Sequence, residues 1–215
     1  ALTDADRNVA IGFQALTTDT LGSRSVAIGH NALSVQNFTT ATDSFNTAVG
    51  HEAGAAITTG IQNTFIGGRA GEDLLAASDN VAVGFEALST ETGGQNNVAI
   101  GPRALKAQVN SSGNIYNTAV GANAGTSITT GIENTLIGGL AGDALTDADK
   151  NVAVGRGAIG SDTLGSRSVA VGFQALGDQN FTTATDVYNV GVGYEAGTSI
   201  TTGVRNTILG GRAGD

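Results

Sequence analysis

A nine-residue phrase returns through the whole chain in nearly fixed phase, at its clearest as Asn46-Thr47-Ala48-Val49-Gly50-His51-Glu52-Ala53-Gly54. Its central glycines are Gly12, Gly29, Gly50, Gly67, Gly84, Gly101, Gly121, Gly138, Gly155, Gly172, Gly193 and Gly210, at steps of 17, 21, 17, 17, 17, 20, 17, 17, 17, 21 and 17 residues. A period in this range makes each copy one supersecondary unit that buries its apolar side only by stacking on its neighbours. An elongated repeat architecture is therefore expected, and a globule with one thick core is not. Composition agrees: 33 of the 215 residues are Gly, aromatics are 5%, and Trp, Met and Cys are missing. Such a chain fills a narrow core of Val, Ile, Leu and Ala. Glycine here recurs with the copy and not at every third position, which excludes collagen.

Numbering each copy from its glycine, position −4 is Asn, with Ser25 and Ser168 as replacements, position −1 is Ile, Val or Leu, and position +3 is always Ala. The stretch from Asn to Gly alternates with period two and reads as a short strand, with −3 and −1 on one face and −2 on the other. Glycine at its end suits a corner or a close backbone approach that requires positive φ. The recurrent Asn suits a turn and a ladder of stacked side-chain amides. The expectation is an all-β parallel β-roll or solenoid of about twelve rungs, ~4.8 Å apart, and so roughly 55–60 Å long. Small Ala at −2 is read as the face along which neighbouring rolls approach. Phe65, Leu136 and Ile208 at the same phase would then stack poorly in water.

The steps group the rungs in fours, giving a single array of three units at about 1–72, 73–143 and 144–215. First and second rungs place Leu or Ile at +4 (Leu16, Leu33, Leu88, Leu105, Ile159, Leu176), whereas third and fourth rungs place Gly (Gly54, Gly71, Gly125, Gly142, Gly197, Gly214). That predicts alternating fatter and thinner pairs of rungs. After each second rung comes a longer connection, at residues 37–45, 109–116 and 180–188. Insertions in repeat arrays gather on one face, often the binding face. The aromatics of these connections, Phe38, Phe45, Tyr116, Phe181 and Tyr188, are the candidate contact residues, although packing under the loop or into a neighbouring chain is the favoured reading. Neither end resembles a polar cap, so an excerpt of a longer fibre is expected.

The stretches Ser25-Val26-Ala27-Ile28-Gly29-x-x-Ala32 and Asn63-Thr64-Phe65-Ile66-Gly67-Gly68-Arg69-Ala70-Gly71, with Thr58-Thr59-Gly60 between copies, resemble two repeat families. The first is similar to the head repeats of trimeric autotransporter adhesins, whose rungs are usually a little shorter. The second is closer to the long repeats of phage tail-fibre proteins. The resemblance covers the whole chain and implies a left-handed parallel β-roll with three chains side by side. In either family the segment is a fibre shaft or an adhesive head, located on a virion tail fibre or, alternatively, on a bacterial surface.

No catalytic, cofactor-binding or metal site is expected. His30 and His51 share position +1 in adjacent rungs, and they are read as surface or interface imidazoles because a metal site needs further ligands at matched spacing. The acidic turns Asp4-Ala5-Asp6, Asp147-Ala148-Asp149 and Glu72-Asp73 lack the ligand density of a calcium loop. Gly67-Gly68-Arg69-Ala70-Gly71 and Gly138-Gly139-Leu140-Ala141-Gly142 lack the Gly-Lys-Ser/Thr ending and following helix of a phosphate loop. A net charge of −9 without a basic stripe argues against nucleic acid. No run approaches the ~20 apolar residues of a membrane helix. The expected partners are two further copies of the chain, adjoining fibre segments and a cell-surface glycan or protein receptor. A monomeric solenoid that builds a filament or lattice stands as the alternative from another class.

Overall fold

The structure, a computed structural model, describes residues 5–215; Asp4, and with it the start of the first acidic turn, lies outside the described residues. Twelve three-residue strands, from Val9–Ile11 to Thr207–Leu209, form one parallel sheet in sequence order. The pairing register is the repeat itself: Val26↔Thr47, Ala27↔Ala48 and Ile28↔Val49 in one pair, and the same offsets in the others. Parallel strands joined by one turn of chain are the geometry of a solenoid. Beyond the strands the ladder continues around the rung, as in Asn31 N to Phe13 O at 2.9 Å and Leu33 N to Ala53 O at 3.1 Å. Among the described residues no helix is long and apolar enough to cross a membrane.

The glycine at position 0 has φ between +116 and +143 in the twelve rungs. A Cβ on Gly29 would lie 2.2 Å from the carbonyl oxygen of Gly50, and one on Gly50 would lie 2.4 Å from that of Gly67. The glycine is therefore required twice, by its backbone conformation and by the backbone of the next rung. Position +4 also lies in the left-handed region, where Leu33 (φ 49) and Leu88 (φ 51) hold it without glycine.

The Asn column forms the expected ladder, turned inward. Asn46, Asn63, Asn80 and Asn97 are wholly buried. Each Oδ1 accepts the backbone N–H of the next column residue, as from Asn63 N to Asn46 Oδ1 at 2.9 Å. Nδ2 of Asn46, Asn63 and Asn80 donates to a carbonyl fourteen residues on, as from Asn46 Nδ2 to Gly60 O at 2.7 Å, whereas Asn97 Nδ2 donates to Asn80 Oδ1 at 3.2 Å. Where the sequence has Ser, Ser25 N still donates to Asn8 Oδ1 at 2.7 Å.

The expected facing of the strands is reversed. Position −2 points inward: Ala27, Ala48, Phe65, Ala82 and Leu136 have no solvent exposure, while −3 and −1 are half-buried or exposed. Only the end strands depart, because Ala10 and Ile208 each lack a rung on one side. The cause is parity. Asn at −4 and the residue at −2 project to the same side of a strand, and a buried amide ladder takes −2 in with it. Phe65, Leu136 and Ile208 thus do not stack in water; Phe65 and Leu136 are core. The core is Ala, Leu, Ile and Phe, and the Val and Ile of positions −3 and −1 form the outer wall.

The thinner rungs are refilled from the opposite wall. Phe65 rests on Gly54 and Gly71, where added Cβ atoms would lie 2.6 and 2.5 Å from its ring. Leu136 rests on Gly125 and Gly142 in the same way, at 2.7 and 2.8 Å. Burying a side chain of this size stabilises by roughly 1.5–3 kcal/mol, and the exchange fills the space that the two glycines leave.

Candidate functional site

Three surfaces of the rod carry chemistry. The first is the outer face of the twelve-stranded sheet. Position −1 is Ile, Val or Leu in all twelve strands, and Ile11, Ile66, Ile100, Ile137, Val171, Val192 and Leu209 are among the exposed large hydrophobics. Because the register never slips, these side chains line up in one row, ~4.8 Å per rung and on the order of 50 Å long. Soluble monomers rarely show an apolar strip that continuous.

The second surface is the set of long connections, which are anchored and not free. In each unit a buried carboxylate at position +7 of the first rung meets a buried Gln at +7 of the second: Asp19 with Gln36, Glu91 with Gln108, Asp162 with Gln179. Gln36 Nε2 donates to Asp19 Oδ2 at 2.6 Å, Gln108 Nε2 to Glu91 Oε2 at 2.6 Å, and Gln179 Nε2 to Asp162 Oδ2 at 2.5 Å. The Gln oxygen then accepts from the Asn of the third rung, as from Asn46 Nδ2 to Gln36 Oε1 at 2.8 Å. The other carboxylate oxygen takes backbone amides from both ends of the turn. Glu91 Oε1 accepts from Thr92, Gly93, Gly94 and Asn110 at 2.8–3.1 Å. Asp162 Oδ1 accepts from Gly165 and from Phe181, the latter at 2.9 Å. The carboxylate gathers amides from both sides and fixes where the long connection leaves the core.

This anchoring sorts the candidate aromatics. Phe38 and Phe181 are buried, at 5 and 7% exposure, and serve as pins beside Asp19 and Asp162. Neither ring is offered to solvent, as the packing reading of these two requires. Phe45, Tyr116 and Tyr188 stay about half exposed at position −5, immediately before the Asn column. Arg24 lies over Phe45 at 5.5 Å and Arg167 over Tyr188 at 5.8 Å. Those arginines also pair with Asp43 and Asp186 within the connections. Short pairings of Gly22–Ser23 with Thr42–Asp43, and their equivalents in the other units, hold the connections to the preceding rung. The carboxylate–Gln pairs escaped the sequence reading, which stopped at +4. The signal was present, since +7 is Asp or Glu, then Gln, then Ile, then Leu in successive rungs.

The third surface is the turn after the glycine. Position +1 stacks aromatic rings, with Phe13–His30 centroids 5.4 Å apart, His30–His51 5.0 Å and Phe173–Tyr194 5.2 Å. Position +2 alternates charge along the middle of the rod as Glu52, Arg69, Glu86 and Arg103. Glu86 accepts from Lys106 Nζ at 2.6 Å and Arg103 Nε at 3.2 Å, and these cations, Lys106 foremost, hold its carboxyl below the usual range. Burial pushes Asp143 upward. A shallow groove of about 440 Å³ lies beside this column, lined by Asn31, Val35, Glu52, Ala55, Glu72 and Leu75 among others.

Set against known proteins, the chain matches no family model, no curated protein and no solved structure.

Proposed function

We propose that the chain is a non-catalytic structural rod, the shaft or adhesive segment of a trimeric fibre, in the manner of the phage tail-fibre repeats it resembles. The observation that carries this reading is the unbroken Val/Ile/Leu row on the outer face of the sheet. Three parallel copies placed row to row would remove it from water along the whole rod, and a shared threefold axis would close the assembly without open contacts. The reversed facing strengthens the packing argument, since large β-branched side chains meet at the interface and Ala fills the inside. A rod of this kind holds its exposed loop residues, Phe45, Tyr116 and Tyr188, in threefold copies, so that weak contacts with a cell-surface glycan or protein add to avidity.

Light scattering across a dilution series tests the assembly. A mass near three times 21.3 kDa at every concentration is the expected result. A persistent monomer would end the trimeric reading, and growth without a plateau would favour the filament. Attachment to cells tests the adhesive part: replacing Phe45, Tyr116 and Tyr188 by Ala together should weaken it, and unchanged attachment would leave the segment a shaft only.

A further inference from the structure

We infer that His30, His51 and Glu52 form a binding site for a divalent transition-metal ion, with zinc, nickel or copper as the chemical class. Their ligand atoms all lie within 4.8 Å of one another, and among the described residues this is the one such group. The sequence supplied two imidazoles and no third ligand. The fold supplies Glu52, because the turn after Gly50 returns its carboxylate to the edge of the His51 ring.

Geometry favours an ion over a direct pair. His51 Nδ1 and Glu52 Oε2 are 3.4 Å apart, long for a charge-assisted hydrogen bond. Two ligands on one tetrahedral ion, each at about 2.0–2.1 Å, lie ~3.3 Å apart. The imidazoles of His30 and His51 are parallel, 6° between planes, at a rung spacing of 5.0 Å. Both rings are exposed, so modest tilts bring a nitrogen of each to the ion while water completes the fourth position. The backbone beneath them is fixed, with Glu52 N donating to His30 O and Arg69 N to His51 O, both at 2.8 Å. An imidazole pair with one carboxylate selects the later first-row divalent ions over calcium or magnesium.

Two further observations point to a cation. Asn31 follows His30 and lines the same groove as Glu52, and its Oδ1 is buried with no hydrogen-bond partner. Arg69, the cation facing the cluster, makes its short contact with Glu72 at 2.7 Å and only a loose ion pair with Glu52 at 3.9 Å, so a bound ion displaces a weak pair. The array also supplies its own controls. The matching positions are Pro102, Ala122 and Asn123 in the second unit, and Phe173, Tyr194 and Glu195 in the third. Phe173 and Tyr194 stack just as the histidines do, at 5.2 Å and 9°, with no ligating nitrogen. Stacking therefore explains the ring column, and it does not explain why one unit alone places two imidazoles beside a carboxylate. His30 and His51 flank the 21-residue step, so a bound ion would staple the rungs between which the first long connection emerges.

The test is titration of ZnCl2 and NiCl2 into the purified chain with 15N-labelled histidine, alongside competition with a chromophoric chelator. His30 and His51 are the two histidines of the sequence, so their ring nitrogens report without ambiguity. The expected result is one ion per chain at micromolar affinity, both imidazoles shifting together, and a metal-dependent rise in melting temperature. His51→Ala and Glu52→Gln should each weaken binding at least ten-fold, while Glu133→Gln, on a distant rung, leaves it unchanged; thermal melts without metal confirm that each variant folds. Binding only at millimolar metal, a response from one imidazole alone, or an unchanged affinity in Glu52→Gln would overturn the site.

Discussion

Within each unit the first two rungs and the last two share one backbone and are filled by opposite chemistry. In the first unit the leading pair encloses Asp19, Gln36 and Ser25, with Leu16 and Leu33 at the left-handed corner. The trailing pair encloses Ile57, Leu74 and Phe65, with Gly54 and Gly71 at the same corner. Both fillings are buried, so satisfied hydrogen bonds, and not apolarity, are the condition the interior imposes. The polar pair always lies beside the long connection. An apolar filling satisfies no amides, whereas a carboxylate can gather those on either side of the place where the chain departs from the regular rung. The difference between the pairs is the difference between continuing a solenoid and interrupting it.

The largest expected effect comes from making a polar rung apolar. Glu91→Leu removes the acceptor of the Gly94 and Asn110 amides and of the Gln108 side chain. With ~1–3 kcal/mol for each buried donor left unsatisfied, urea unfolding should show a loss of about 5 kcal/mol. Adding Gln108→Leu removes the orphaned Nε2 but takes the Oε1 acceptor from Asn117 Nδ2, so the double variant should lose about as much as Glu91→Leu alone. Additive losses in the double variant would mean that the pair does not act as a unit.

Next in size is the apolar pair. Phe65→Ala should cost ~3–5 kcal/mol in the same measurement, because its glycine neighbours offer nothing to close the cavity. Smaller again is Gly54→Ala, expected to cost about 2 kcal/mol by overpacking. Leu33 tolerates φ 49 at the matching corner, so the backbone alone does not forbid a side chain at Gly54, where φ is 58. The collision with Phe65 at 2.6 Å does. The Gly54→Ala cost should therefore shrink markedly in a Phe65→Ala background, which removes the ring altogether, and an unchanged cost would assign it to backbone strain instead.

The smallest effect is electrostatic and lies outside both fillings. Lys106 and Arg103 lower the folded-state pKa of Glu86. Its contribution is therefore present above the ordinary Glu value and lost as pH falls through the lowered one. Glu86→Gln should reduce the melting temperature slightly at neutral pH, with the difference from wild type vanishing under acid conditions. A difference that persists in acid would indicate packing and not charge. High salt should shrink it too, as exposed pairs of this kind are weak and screened.

Much of the fold was legible in the sequence because a solenoid is almost one-dimensional. The spacing of Gly12, Gly29 and Gly50 is the rung length, and equal spacing is the register of a parallel sheet. The Asn column was read as an amide ladder and is one. The facing was misread because Val-Ala-Ile is apolar on both sides of the strand, and alternation without polarity does not say which side is wet. The buried Asn at −4 held the answer by parity. Among the contact candidates, Phe38 and Phe181 could not be told from Phe45 and Tyr188 by type. What separates them is place, since Phe38 and Phe181 stand two residues after the buried Gln, whereas Phe45 and Tyr188 stand at the exposed −5 corner.

The sequence alone determined the repeat length, the number of rungs, the in-phase stacking and the grouping in fours, because each is a periodicity and needs no third dimension. Only the tertiary structure decided which wall faces inward, that Asp19, Glu91 and Asp162 lie buried against Gln, and that Glu52 meets His51 and His30. Those outcomes depend on closing the rung. Residues nine to twenty-one positions apart become neighbours only after the corners have turned, and the carboxylates take their partners from whatever amides that closure leaves exposed to them.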